Sequence, residues 1–178
     1  EATYENSAEE VAKSSSNILD KWVIALFHKM LGDGTGALDA YDTFRSARAI
    51  RDFCNDFSTW YIRRSRDRFK SDDVEDRNNA LATTQYILTE FSKYLAPFAP
   101  FFAEEMYLKV TEGMSMESVH LEDWPKGESV SEELERENIL TKMENIRKLV
   151  TLGLEARQRA GIKVRQPLAK ITITNHEF

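Results

Sequence analysis

One cysteine, Cys54, and three histidines, His28, His120 and His176, are all the thiol and imidazole in this 178-residue chain. A single thiol closes no internal disulfide, and no Cys or His stands at ligand spacing from another, so no metal site is expected. A reducing, cytoplasmic location is the expectation. No apolar run approaches the ~20 residues that span a bilayer, and no charged, then apolar, then small-residue leader opens the chain. A membrane partner is therefore not expected. Glycine is sparse, and its one cluster, G-D-G-T-G from Gly32 to Gly36, lacks phosphate-loop spacing and follows a helical pattern rather than a strand. It reads as the turn that ends a helix.

Catalytic chemistry is also thin. No nucleophile pairs with a base, and the adjacent Glu104 and Glu105 point to different helix faces, which suits capping of a short helix better than acid–base work. No catalytic residue is assigned. Cys54 falls in an apolar pattern and reads as an inert core thiol. The chain opens on Glu1 and stops at Phe178 inside an alternating pattern, I-T-I-T-N-H-E-F, as expected of a piece of a longer protein.

With 42% hydrophobic and 30% charged residues, the composition is that of a globular chain. Its net charge of −6 argues against a nucleic-acid partner, which needs a positive surface, but the charge is unevenly spread. Arg45 to Lys70 holds eight basic and three acidic residues, and Lys142 to Lys170 eight and two, so these blocks carry +5 and +6 and the remainder −17. An acidic chain can thus still offer a local positive patch.

Helical periodicity runs through most of the sequence. Asn17 caps a run of Ile18, Leu19, Trp22, Val23, Leu26, Phe27 and Met30; Asp42 caps a second helix reaching about Lys70 with Phe44, Phe53, Cys54, Phe57, Trp60 and Tyr61 inward. S-D-D-V-E-D at 71–76 starts a third, with Leu81, Ile87, Phe91 and Leu95 inward. Pro97 and Pro100 interrupt it, and a short helix is expected to begin near Pro100. The stretch 111–130 is irregular, yet its Leu121 and Trp124 are too apolar for a free linker, so it is expected to pack on the helices. A last helix starts at Ser131 and stops at Ala160–Gly161. The expected fold is all-α, an antiparallel helix bundle, with a short strand at the C-terminus signalled by Ile171 and Ile173. Residues 1–16 read as a partly ordered lead-in, 17–161 as the bundle including the packed loop, and 162–178 as a junction and the start of a following element.

The most informative stretch is S-T-W-Y-I-R-R-S-R-D-R-F-K, Ser58 to Lys70. At about 100° per residue, with Trp60 at zero, Phe53, Phe57 and Tyr61 fall near 20°, 60° and 100°, and Arg64 and Arg68 near 40° and 80°. Trp60 and Tyr61 are thereby assigned to the core, and Arg64 and Arg68 to an inward, structural class that needs partners; Glu75 and Asp76 are candidates. Arg45, Arg48, Arg63, Arg66 and Lys70 fall on the opposite side. That outer class suits a phosphate backbone; it equally suits a solvated face laced by pairs such as Arg48 with Asp52 and Arg63 with Asp67.

W-Y-I-R-R-S-R-D-R-F, Y-L-A-P-F-A-P-F-F-A-E-E-M-Y, S-V-H-L-E-D-W-P and A-G-I-K-V-R-Q-P-L occur in that order. Together they closely resemble the C-terminal anticodon-binding helical domain of class I aminoacyl-tRNA synthetases, from about Asn17 to Ile173. The A-P-F-x-P-F and V-H-x-x-x-W-P elements are shared with valyl and leucyl types; W-Y-I-R-R-S-R with G-I-K-V-R-Q-P-L points to the isoleucyl branch. The resemblance implies a domain that holds the anticodon stem-loop of tRNA. A separate catalytic part, with H-I-G-H and K-M-S-K-S signatures and using ATP and Mg, would activate isoleucine; those signatures are absent here, so the fragment alone is expected to be inactive and monomeric. With tRNA as partner, Arg63, Arg66 and Lys70 become candidate phosphate contacts. Lys163 and Arg165, in the turn after A-G, are a second candidate set, and a packing junction with a following domain is their competing role. The alternatives are a valyl-type domain and a non-catalytic helical protein-interaction module.

Overall fold

The computed structural model describes residues 5–112, 114, 117–126 and 130–172, with side chains at all of these except 5–7 and 130–136. Among these described residues seven α-helices follow in order: α1 Glu5–Ser14, α2 Ile18–Asp39, α3 Thr43–Asp56, α4 Arg63–Ser65, α5 Val74–Leu95, α6 Pro100–Val110 and α7 Val130–Arg159. A π-helical segment, Phe57–Ile62, joins α3 to α4, and 3-10 turns occupy Arg68–Lys70 and Val119–Leu121. The bundle is all-α, and the described residues contain no strand. Residues 171 and 172 are irregular, and the rest of the expected C-terminal strand lies outside the described residues.

Local chemistry starts most helices. The Asn17 side-chain carbonyl accepts from the Leu19 amide, Asp42 from the Arg45 amide, and Asp73 from those of Glu75 and Asp76, satisfying amides that the first turn leaves unpaired. Pro100 opens α6 at a position where its missing N–H costs nothing. Around α2 gather α3, α5 and α7; α1 and α6 flank α5. Their shared core holds Trp22, Val23, Phe27, Phe53, Tyr61, Ile87, Phe91, Tyr94 and Tyr107. The segment read as a lead-in forms α1, which lies along α5 and buries Ala12.

The glycine cluster does not end its helix. α2 continues through Gly32, Gly34 and Gly36 to Asp39. The reason is proximity: Gly34 is buried, and a Cβ there would overlap the hydroxyl of Tyr94, which hydrogen-bonds Ser46 at 2.6 Å. Glycine at 34 lets α5 approach α2, and propensity yields to packing.

The 111–130 loop does pack. Trp124 lies 5.0 Å from the Tyr94 ring and donates its indole N–H to Thr35 Oγ1 at 3.2 Å, and Val119 is buried. Glu104 accepts from the Val119 amide at 2.9 Å and from the Ser118 hydroxyl at 3.0 Å, so it caps the 3-10 turn of this loop rather than its own helix. Leu121, by contrast, is exposed. So are Ile18, Phe44 and Leu81, each assigned inward by periodicity, and Cys54, which stands on the surface rather than in the core.

Candidate nucleic-acid interface

Sequence and geometry part company at Phe57–Ile62. The buried residues of this strip are Phe53, Tyr61 and Ser65, with Phe57 half-buried between them, a strict spacing of four. In an α-helix that spacing drifts by about 40° per step, because four residues turn about 400°. A π-helix turns less per residue, so spacing of four stays aligned and the rings of Phe53, Phe57 and Tyr61 stack in succession, with centroids 5.6 and 5.7 Å apart.

The wide turn rotates everything after it. Arg68 stays inward, as expected, but Arg64 does not: it is exposed, with its guanidinium over the Trp60 ring at 4.4 Å. Trp60 is half-buried rather than a core residue, and Arg147 of α7 also lies over its ring, at 5.0 Å. Tyr61 is fully buried.

Arg68 is held by two carboxylates. Its Nη1 and Nη2 each donate to an oxygen of Asp20 at 2.8 Å, and its Nε and Nη2 donate to Asp76 at 2.9 and 2.7 Å. Asp20 is wholly buried and also accepts from Tyr61 Oη at 2.9 Å and Ser15 Oγ at 2.7 Å. Asp76 is a partner that the sequence pattern offers; Asp20, 48 residues away, is not. A signal for it existed: a lone acid on the apolar stripe between Leu19 and Trp22. Hydrogen bonds from Arg68 hold the Asp76 carboxyl below the usual carboxylate range. Burial first, then the Asp20 charge, push the Tyr61 phenol well up. The network ties α2, α5 and the arginine-rich segment together, because a buried charge is tolerated only when paired and hydrogen-bonded.

With Arg68 anchored, its neighbours project outward. Arg63, Arg66 and Lys70 are exposed and, among the described residues, make no ion pair; the Arg63–Asp67 and Arg48–Asp52 pairs of a laced face do not form. Asp52 is taken instead by Arg51, and Arg48 lies over the Phe44 ring at 4.7 Å.

The second candidate set lies on a built turn. Gly161, at φ +66, ends α7 with Ile162 N–H donating to the Arg157 carbonyl at 2.9 Å and Gly161 N–H to that of Gln158 at 3.1 Å. The Arg157 guanidinium then gathers the carbonyls of Lys163, Val164 and Gln166 at 2.8–3.2 Å. Lys163 and Arg165 are exposed on this turn. Among the described residues no group of three or more His, Cys, Asp or Glu could hold a metal ion.

An all-α bundle whose buried ion network sets a row of unpaired cations beside it offers a positive surface of the kind a phosphate backbone needs. Residues 20–173 match the family described as the anticodon-binding domain of tRNA ligase, and the chain belongs to that family. It is similar to the isoleucine–tRNA ligase of Clostridium tetani, 38% identical over 166 residues, which cover 90% of this chain and 16% of that protein. The isoleucine–tRNA ligase of Thermus thermophilus is 38% identical over 161 residues, 88% of this chain and 15% of the relative, and that of Chlamydia trachomatis serovar D is 38% identical over 168, 90% and 16%. The chain thus spans about one-sixth of the length of these relatives.

Proposed function

We propose that residues 17–161 hold the anticodon stem-loop of an isoleucine-accepting tRNA as one part of an isoleucine–tRNA ligase, with 162–178 leading into a further element. The observation that carries this reading is the exposed, unpaired row Arg63, Arg66 and Lys70 beside the anchored Arg68, within a chain of the anticodon-binding family. Guanidinium groups offer forked donors to phosphate oxygens, and Lys70 adds a point charge. Lys163 and Arg165, on the turn gathered by Arg157, supply a second set of phosphate contacts. Amino-acid activation with ATP and Mg belongs to the remainder of the longer chain, in the cytoplasm; this part supplies grip and register on the tRNA.

Binding to matched isoleucine and valine tRNA transcripts, measured across a salt series, tests the reading. Isoleucine tRNA should bind more tightly, and log affinity should fall with log salt at a slope of roughly −0.7 to −0.9 per phosphate contact. Arg63→Ala and Arg66→Ala should each make that slope shallower by about one unit, with helicity unchanged. A flat salt response, or equal binding of both tRNAs, contradicts the proposal.

A further inference from the structure

The sequence motif left over once the phosphate row is assigned is Trp60 with Arg64. Trp60 is half-buried, Arg64 is exposed, and the guanidinium of Arg64 lies 4.4 Å over the indole. Such an arrangement holds a flat cation in place against a flat ring, with its outer side toward solvent. Beside it runs a groove of about 540 Å³ whose apolar wall includes Leu19, Trp22, Met143 and Ile146 and whose edge carries Arg64 and Lys142. A groove of this size falls within the range of small-molecule sites. Its cationic edge and apolar wall match a nucleotide, with one charged phosphate and one flat, weakly polar base.

The π-helical turn supplies a second, independent observation. π segments that interrupt helices are frequent at functional sites, and this one turns Arg64 out of the packed stripe, where the α-helical phase would put it, and onto the surface of Trp60. The same turn sets Arg63 and Arg66 on the exposed face that Arg64 adjoins. Arg147, ion-paired to Asp56 at 2.6 Å, lies over the same ring at 5.0 Å and fastens α7, the groove's far wall, to it. Arg48 also lies over a ring, but that ring, Phe44, is itself exposed, and the groove that Arg48 lines is about half the volume, 290 Å³.

We infer that Arg64, laid on Trp60, is the platform on which one unstacked base of a single-stranded RNA loop stacks, with Lys142 taking its phosphate and the apolar groove receiving the face of the sugar and base. The inference rests on the tRNA-binding reading and adds to it a base-contacting residue, separate from the phosphate row. Bases splayed from RNA loops stack on aromatic rings and on arginine planes, and each such stack contributes to affinity without a matching contribution to salt dependence.

The test uses the 178-residue chain and an isoleucine tRNA anticodon stem-loop carrying 2-aminopurine at each loop position in turn. Stacking quenches the probe, so one position should lose fluorescence on binding. Arg64→Ala should abolish that quench and weaken binding about tenfold, and, because phosphate contacts set the salt slope, reduce that slope far less than the combined loss of Arg63 and Arg66. Arg63→Ala and Arg66→Ala should do the reverse, flattening the slope and keeping the quench. Arg64 is exposed and makes no ion pair, so its substitution should leave helicity and the melting temperature close to those of the parent. Binding with no quench at any position, or a quench that survives both Arg64→Ala and Trp60→Leu in folded protein, overturns the inference and leaves the phosphate row standing. Absence of binding by the unsubstituted chain overturns both. If Arg64→Ala in a full-length ligase lowers its stability while tRNA binding is unmoved, the groove is a seat for another part of the same chain, and the inference fails.

Discussion

Arg68 spends nearly all its donors on two carboxylates, and the two are not equivalent. Asp20 is fully buried, whereas Asp76 keeps about a third of its side chain in solvent, 32%. Hydrogen bonds from Arg68 hold the pKa of Asp76 down. A carboxyl whose folded pKa is depressed contributes stability that is complete above its unfolded value, about 3.9, and is lost as pH falls through the lower folded value. Asp76→Asn should therefore flatten the acid limb of a stability–pH curve below about pH 4 and leave the shape above pH 5 unchanged. Thermal melts across that range check it; an acid limb as steep as the parent's would show that the pair adds nothing specific. The Tyr61 phenol, raised by burial, acts at the other end, where stability falls once pH exceeds the ordinary tyrosine value of about 10.

Within single elements, what the sequence disclosed was what is decided within a few residues. The Asn17, Asp42 and Asp73 caps and the Pro100 start follow from side-chain chemistry next to the backbone it serves, and all are where the pattern puts them. Readings failed where a distant partner decides. Gly34 looks like a helix breaker until Tyr94, sixty positions on, is seen to occupy the space of its missing side chain. Arg64 looks inward at about 100° per residue, an angle that its segment does not obey. The four-residue spacing of Phe53, Phe57 and Tyr61 was the available sign. For Gly34 the consequence is measurable: Gly34→Ala should destabilise the chain by about 1–3 kcal/mol through overpacking, despite alanine's better helix propensity. Urea unfolding of Gly34→Ala, Tyr94→Phe and the double variant should show positive coupling, since shortening Tyr94 relieves part of the overlap. A stabilised Gly34→Ala would mean that the ring yields freely.

Across the molecule, α7 is the least evenly attached part. Ile139 and Met143 pack against the core, but Ile146, Val150 and Leu154 further along the same stripe are substantially exposed. At the start of the exposed half, next to Ile146, stands Arg147, whose Nη1 and Nη2 donate to both Asp56 oxygens at 2.7 and 2.6 Å, a paired geometry in a partly buried setting. That clasp is placed to hold the helix against the bundle. Limited proteolysis should cut α7 faster in Arg147→Ala and in Asp56→Ala, and no faster in the double variant than in Arg147→Ala alone, because that substitution already removes the ion pair together with the contact on Trp60. Additive increases would argue for two independent contacts. The charge layout has the same large-scale character: a chain of net charge −6 repels polyanions at long range, and a concentrated positive segment engages one only at short range and in one orientation.

The π turn has one further consequence. A helix whose inner and outer faces keep a constant phase cannot change what it displays without changing what it buries. Here a single wide turn acts like a slipped gear tooth between Phe53 and Arg68. Upstream, the aromatic rings mesh with the core; downstream, Arg68 meshes with Asp20 and Asp76. The cations in between are aimed by the slip itself. Lengthening or shortening this one segment by a residue would swing Arg63 and Arg66 around the helix and carry Arg68 away from Asp20 and Asp76 with them, so the slip and the buried ion network fix the aim of the cations jointly.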